Sequence, residues 1–363
     1  MSEPKVAVAI PQTAPETALP GASCPLPVFE HKQIVLGHGN GGKLTAQLIE
    51  NVFLPAFSNA ALNKLDDQAV LALNGSRLAF TTDSFVVTPI FFPGGDIGHL
   101  AVNGTVNDLA MSGARPLYLS AAFILEEGLP MDELRRVIAS MQQAAQQAGV
   151  QLVAGDTKVV NRGKGDKIFI TTTGIGVIEK PVNISADQAR PGDKVILSGY
   201  IGDHGMAILS QRENLEFEGV IESDTASLHE LVAAMLEVSD KIHCLRDATR
   251  GGVATVLNEI ASRSRVGMLL REPEIPVRET VRGACEILGL DPLYVANEGK
   301  LVGVVDAGAA NAVVARMRQT ETGRDARIIG EIVEHPRMVL MKTEIGGTRV
   351  LDTLFGEQLP RIC

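Results

Sequence analysis

Apolar stretches short enough to be strands alternate with longer stretches of helical periodicity, and they do so twice, before and after the turn sequence Ala189-Arg-Pro-Gly-Asp193. A strand buries a face and a helix a stripe, so this order commits the chain to layered α/β (α+β) structure. Strands are expected at 69–73, 78–82, 117–124, 151–154 and 168–177. Helices are expected at 97–111 and 131–148, the latter opened by Pro130 and closed by Gly149. A further helix is expected from 43 to about 53, after a short strand or turn at 33–37. Beyond the central turn the pattern gives strands at 194–198, 266–270, 301–305, 326–333 and 337–341. Helices are expected there at 203–212, 225–238, 251–263, 278–288 and 309–320.

With 363 residues the chain exceeds one typical core. Its expected division is an Ala/Pro-rich disordered extension over 1–30, an N-terminal domain over 31–185, a C-terminal α+β domain over 186–345 and a mobile tail over 346–363. A net charge of -10, with no Lys/Arg run, argues against a nucleic-acid surface. No apolar run approaches the roughly 20 residues a membrane span needs, and the Ala/Pro-rich start, carrying Glu3 and Glu16, does not read as a secretory signal. The four cysteines, at 24, 244, 285 and 363, are far apart and lack zinc-site spacing, which favours a reduced, cytoplasmic setting.

Four glycines fall within Gly37-His-Gly-Asn-Gly-Gly-Lys43, just ahead of a helix. Backbone N–H groups presented this way attract phosphate, and Gly39, Asn40, Gly41, Gly42 and Lys43 are the expected contacts. Leu44 stands where a P-loop carries its magnesium-binding Ser or Thr, so a P-loop is excluded. Acidic residues recur beside apolar strands: Asp66, Asp67, Asp83, Asp108 and Asp156. Hard oxygen ligands without His or Cys partners suit Mg²⁺, a usual companion of phosphate substrates. Arg250, in Asp247-Ala-Thr-Arg-Gly-Gly252, is a candidate nucleotide or phosphate contact, with a structural ion pair as the other reading. His38 and His204 receive no catalytic role; His204 reads as a capping-region residue in Gly202-Asp-His-Gly205. Cys244 and Cys285 read as small hydrophobes, and Cys24 falls in the extension.

Cys363 ends the chain. Ahead of it lie a Gly346-Gly347 hinge, the apolar Val350, Leu351, Leu354 and Phe355, and Pro360. Sixteen residues follow Gly347, enough to carry a thiol about 50 Å at full extension.

Thr81-Thr-Asp-Ser-Phe85, Val102-Asn-Gly-Thr-Val-Asn-Asp-Leu-Ala-Met-Ser-Gly-Ala114, Ala154-Gly-Asp-Thr-Lys-Val159, Arg246-Asp-Ala-Thr-Arg-Gly-Gly252 and Pro360-Arg-Ile-Cys363 together resemble the HypE family of hydrogenase maturation factors. That family belongs to the superfamily of aminoimidazole ribonucleotide synthetase and selenophosphate synthetase. The resemblance covers residues 31 to 363. It implies a two-domain synthetase-superfamily fold whose first domain binds ATP and dimerises. It implies ATP-dependent dehydration of a carbamoyl group on Cys363 to a thiocyanate, which supplies the cyanide ligand of [NiFe] hydrogenase iron. Lys158 and Glu298 are then catalytic, with Lys158 on the thiocarboxamide oxygen or the phosphoryl group and Glu298 the base; Asn297 orients the amide. Asp83, Asn107, Thr157 and Arg250 join the ATP contacts, and Mg²⁺ is the metal. The implied partners are the carbamoyltransferase HypF as donor, a HypC–HypD complex as acceptor, and a second copy of the chain. Two rival readings stay open: a synthetase or kinase of the same superfamily acting on a free small molecule, and a non-catalytic thiol carrier.

Overall fold

The structure is a computed structural model that describes residues 33–215, 217, 219–354, 362 and 363. The expected extension over 1–30, Cys24 within it, and residues 355–361 of the expected tail lie outside the described residues. Leu36–Cys363 form one compact unit. The unit opens on a 3₁₀ turn at Leu36–Gly39, followed by α1 (Lys43–Leu48), a π turn and α2 (Leu54–Phe57). Pro55 lies where the π turn passes without a break into α2.

The first sheet is built from β1 (Ala69–Leu73), β2 (Ser76–Phe85), β5 (Arg115–Glu126), β6 (Gln151–Val160) and β7 (Ile168–Val177), in the order β1-β2-β7-β5-β6. A short hairpin, β3 (Phe91–Phe92) with β4 (Gly95–Asp96), leads into α3 (Ile97–Ala110), and α4 (Met131–Gln147) joins β5 to its parallel neighbour β6. Asn74 and Gly75, both at positive φ, make the two-residue connection that pairs Leu73 with Ser76. Asp96 caps α3 by accepting from the backbone N–H groups of Gly98 and His99. Leu100, Ala101, Val102, Val106 and Leu109 are fully buried, and Asn103, Thr105 and Asn107 are buried with them, so the helix is enclosed on nearly every side. The amphipathic α4 buries Val137, Met141, Ala144 and Ala145 at helical spacing.

The second sheet, in the order β14-β13-β10-β12-β8-β11-β9, comprises β8 (Lys194–Leu197), β9 (Ile242–Asp247), β10 (Gly267–Arg271), β11 (Leu301–Val305), β12 (Arg327–Val333), β13 (Val339–Lys342) and β14 (Thr348–Leu351). Its helices are α5 (Asp203–Glu213), α6 (His229–Val238), α7 (Gly252–Ser264), α8 (Glu279–Leu288) and α9 (Ala307–Met317). Every residue of β11 is buried. Leu109 and Met111, at the end of α3, share a core with Leu231 and Met235 of α6, so the halves are packed together.

Three departures from the sequence reading matter for the site. Helix α6 starts at His229, not 225, because the backbone before it is bound elsewhere: Ala226 N donates to Glu298 O and Leu228 N to Asn107 Oδ1. The unexpected β9 carries Asp247 at its end. Thr348–Leu351, expected within the tail, pairs antiparallel with β13 as β14, and Leu351 is buried. Alternation of Thr348, Arg349, Val350 and Leu351 gives this segment one face for the core.

Candidate active site

Three carboxylates converge from three directions: Asp67 just before β1, Asp108 on α3 and Asp247 at the end of β9. One oxygen of each lies within 4.8 Å of the others. The Thr81 hydroxyl, 2.7 Å from Asp108 Oδ2 and 2.9 Å from Asp67 O, ties β2 to both. Arg246 counters the charge, with Nε 2.8 Å from Asp67 Oδ1 and Nη2 2.7 Å from Glu259 Oε2. Burial, then mutual repulsion, still raises Asp108 well above the carboxylate range. Burial likewise raises Asp67, against the pull of Arg246, and lifts Asp247 to about 6. Asp67 Oδ2 is buried with no hydrogen-bond partner. An orphaned oxygen within a group of hard oxygen donors fits a divalent cation such as Mg²⁺. Asp83, on β2, adds its charge to Asp108 and Asp247 and is itself raised by burial against Arg250.

Beside these carboxylates lies the end of the chain. Ile362 forms an antiparallel bridge with Val87, and Val86 N donates to Cys363 O at 3.1 Å, so the last residues lie alongside the backbone just beyond β2 as a short added strand. Ile362 is 5% exposed, in the core of Phe85, Val87, Ile90 and Leu100. Burial pushes the Cys363 thiol well up; Glu298 is the next cause, as charge and as hydrogen-bond partner, and Arg250 opposes them.

Glu298 is buried, and burial followed by the charges of Asp247, Asp83 and Asp224 raises its carboxyl well above the usual range. Its loop is fixed from all sides. Glu298 N donates to Asp224 Oδ1 at 3.0 Å, and Lys300 Nζ lies 3.2 Å from Asp224 Oδ2. Asn297 Oδ1 accepts from Gly202 N at 2.7 Å, while its Nδ2 donates to Ala248 O and Val295 O. A Cβ on Gly299 would lie 1.9 Å from Asp224 O, so only glycine fits.

Arg250 joins the thiol to the glycine loop: Nη1 donates to Gly39 O at 2.8 Å, and Gly41, at φ +74°, lies so close that a Cβ would meet Arg250 O at 2.9 Å. The loop is partly closed on itself, since Gly41 N donates to Thr45 Oγ1 and Lys43 N to Leu354 O. Lys43 Nζ pairs with Asp352 at 2.7 Å. Asn40 Nδ2 is a buried donor without a hydrogen-bond partner.

Several expected site residues stand elsewhere. Asp66 accepts from Ser185 Oγ and Ala186 N, a structural tie outside the carboxylate group. Asn107, expected on the nucleotide, has both amide ends engaged, with Ala226 O and Glu298 O on one side and Leu228 N on the other. Asn297 is committed in the same way and is not a free substrate contact. Asp156, Thr157 and Lys158 lie on the edge strand β6, three strands from Asp83, and at about 4.8 Å per strand this is about 14 Å. There Lys158 Nζ is 3.1 Å from Asp156 Oδ2, both side chains are exposed, and Thr157 N donates to Asp156 Oδ1. Sequence reasoning missed Asp247 as a carboxylate partner, although it adjoins Arg246 in a recognised motif. It also missed Asp224, which carries no local signal, and it gave His204 only a capping-region place, which the first turn of α5 matches.

The outer face of the first sheet is apolar and exposed. Phe80, Ile175 and Tyr118 are register neighbours on β2, β7 and β5 and are 41%, 40% and 45% exposed, while Val153 and Val159 stand out on β6.

Residues 65–178 match the family AIR synthase related protein, N-terminal domain, and residues 190–342 its C-terminal domain. The chain is 57% identical over 333 residues to Carbamoyl dehydratase HypE of Cupriavidus necator, an alignment covering 91% of this chain and 95% of that one. It is 48% identical to Carbamoyl dehydratase HypE of Escherichia coli, over 91% of this chain and 99% of its relative. Among solved structures, a hydrogenase maturation protein HypE in complex with ATP matches at TM-score 0.77 and 52% identity, covering 91% of this chain and 100% of that one. A HypE–HypF complex matches at TM-score 0.81 and 50% identity, covering 85% and 99%. With identity of this order along nine-tenths of its length, the chain belongs to the HypE family of carbamoyl dehydratases.

Proposed function

We propose that this protein uses ATP to dehydrate a carbamoyl group carried on Cys363 to a thiocyanate, which becomes the cyanide ligand of [NiFe] hydrogenase iron. One observation carries the reading: the terminal thiol is seated beside Glu298 and Arg250, next to the buried carboxylate group. An amide oxygen is a poor leaving group. Transfer of a phosphoryl group from ATP to that oxygen releases ADP; the C–O bond then breaks, phosphate departs, both N–H protons are removed and the sulfur–carbon bond is kept. Glu298 is the proton acceptor. A carboxylate raised by burial is a stronger base once ionised. Arg250 is placed to offset charge on the oxygen and phosphate.

Asp67, Asp108 and Asp247, with Asp83 alongside, would hold Mg²⁺, whose charge offsets that of the ATP phosphates. Asn40, the neighbouring glycines and Arg250 are the contacts assigned to ATP itself. HypF is the carbamoyl donor and a HypC–HypD complex the acceptor, and the setting is the cytoplasm. No helix among the described residues is long and apolar enough to cross a membrane. The seated thiol is held protonated by burial and neighbouring acids, hence a poor nucleophile, so it accepts the carbamoyl group while turned outward to its donor. We assign residues 31–185 to an ATP-binding, dimerising domain, 186–345 to a C-terminal domain and the last residues to the moving tail. The exposed apolar face around Tyr118 and Ile175 supports a homodimer. Roles for Asp156, Thr157 and Lys158 then require the second copy.

The test is the mass of the C-terminal peptide. Incubation with the carbamoyl donor system should add one isocyanic acid, and ATP with Mg²⁺ should then remove one water from the same peptide. Cys363→Ala should fold, bind ATP and show neither change; cyanide released from that variant would overturn the reading.

A further inference from the structure

The tail is gripped at one point that the chemistry described so far does not use. His204, in the first turn of α5, is fully buried, and its Nε2 lies 2.6 Å from the main-chain oxygen of Ile362, one residue before the reactive sulfur. Its Nδ1 lies 2.7 Å from Ser223 Oγ, which is in turn 2.6 Å from Thr225 Oγ1 and accepts from Thr225 N at 3.2 Å. The Phe92 ring meets the imidazole edge-on at 5.6 Å. These contacts determine the tautomer. A carbonyl oxygen only accepts, so Nε2 carries the hydrogen; Nδ1 then accepts a hydrogen bond from the Ser223 hydroxyl.

The clamp acts on the main chain rather than on a side chain. It stands opposite the strand pairing with Val86 and Val87, so the tail backbone is held from two sides. The strand contact holds the carbonyl of Cys363 and the His204 contact holds the carbonyl joining Ile362 to Cys363, so the last residue is fixed on both sides of its Cα, and the rigid peptide group carries the His204 contact to it.

We propose that His204 is a positioning residue for the reaction: its Nε2–H clamps the Ile362 carbonyl so that the Cys363 sulfur stops beside Glu298 and Arg250, with Ser223 selecting the tautomer that makes the clamp. This rests on Cys363 carrying the reacting group.

Two measurements on the full chain test it. The first is the rate at which iodoacetamide alkylates Cys363, followed on the C-terminal peptide, because a clamped, partly buried thiol reacts more slowly than a released one. The second is single-turnover water loss from the carbamoylated protein with ATP and Mg²⁺. His204→Ala should speed alkylation about fivefold to tenfold, the range expected for one neutral buried hydrogen bond, and slow water loss by a similar factor. His204→Gln, which restores an N–H donor, should recover part of both. Ser223→Ala, which leaves the imidazole but frees its tautomer, should give a smaller change in the same direction. Unchanged alkylation in folded His204→Ala overturns the clamp, as does a His204→Gln variant that melts normally yet recovers neither rate. If His204→Ala does not fold, unchanged alkylation in Ser223→Ala overturns it. Absence of water loss from the unsubstituted chain would count against the proposed function, while the alkylation arm would still decide the clamp.

Discussion

Glu298 and Asp247 share a cause and differ in consequence. Burial raises both, but Glu298 sits against the thiol while Asp247 sits among carboxylates. Glu298→Gln keeps the shape and removes the proton acceptor, so the chain should still take up the carbamoyl group and lose water at least a hundredfold more slowly, in line with the usual contribution of a general base of about 10²–10⁴. Dehydration at the normal rate, read from the C-terminal peptide mass, would remove Glu298 from the role. For Asp247 the prediction concerns stability. Its folded pKa of about 6 exceeds the roughly 3.9 of an unfolded Asp. Between those values the folded state holds a proton the unfolded state has lost, so its contribution falls as pH rises from about 4 to 6. In chelator, the stability difference between the unsubstituted chain and Asp247→Asn should shift toward the variant over that window, by on the order of 3 kcal/mol. Urea melts at both ends of the window read it, and a constant difference would show that Asp247 is not held protonated. At this scale the sequence displayed Asp67, Asp83 and Asp108 plainly, because each adjoins an apolar run. Asp66 and Asp156 looked the same. What separates them is position across the sheet and the Ser185 hydroxyl, which only the folded chain decides.

Strands β2, β5 and β7 present two unlike faces. One packs on α3, whose Gly104 leaves room for Phe85; the other carries Phe80, Ile175 and Tyr118 in register. An exposed apolar sheet face of this kind needs cover. Tyr118→Asp should convert a dimer to a monomer of unchanged fold, detected by light scattering, and a dimer that persists in Tyr118→Asp with Ile175→Asp would exclude this face. Element existence was largely legible: 69–73 and 168–177 match their strands end to end because their apolar patterns are bounded by turn residues. Strand β9 escaped because His243 interrupts a four-residue apolar run, and β14 because Gly346-Gly347 reads as the start of a free tail. The late start of α6 was hidden too, since only the distant Asn107 and Glu298 reveal why residues 225–228 are not helical.

At the scale of the whole molecule, β14 sets the length of a leash. With Leu351 fixed in the sheet, twelve residues remain to Cys363, and even fully drawn out they reach about 40 Å; the hold of Tyr294 on Asp352 O and of Lys43 N on Leu354 O shortens the reach further. A short tether keeps its end near its own docking groove, so the seated state competes as if the thiol were present at millimolar concentration. Inserting about twelve Gly/Ser residues after Leu354, which roughly doubles the tether, should lower that local concentration only about threefold, so single-turnover water loss should slow modestly. A collapse of the rate would mean that the tether guides the thiol home instead of merely confining it. The leash also decides which party travels. An enzyme that loads this sulfur, or strips cyanide from it, must bring its own catalytic centre within that radius of β14, and any partner seated farther away is out of reach however tightly it binds.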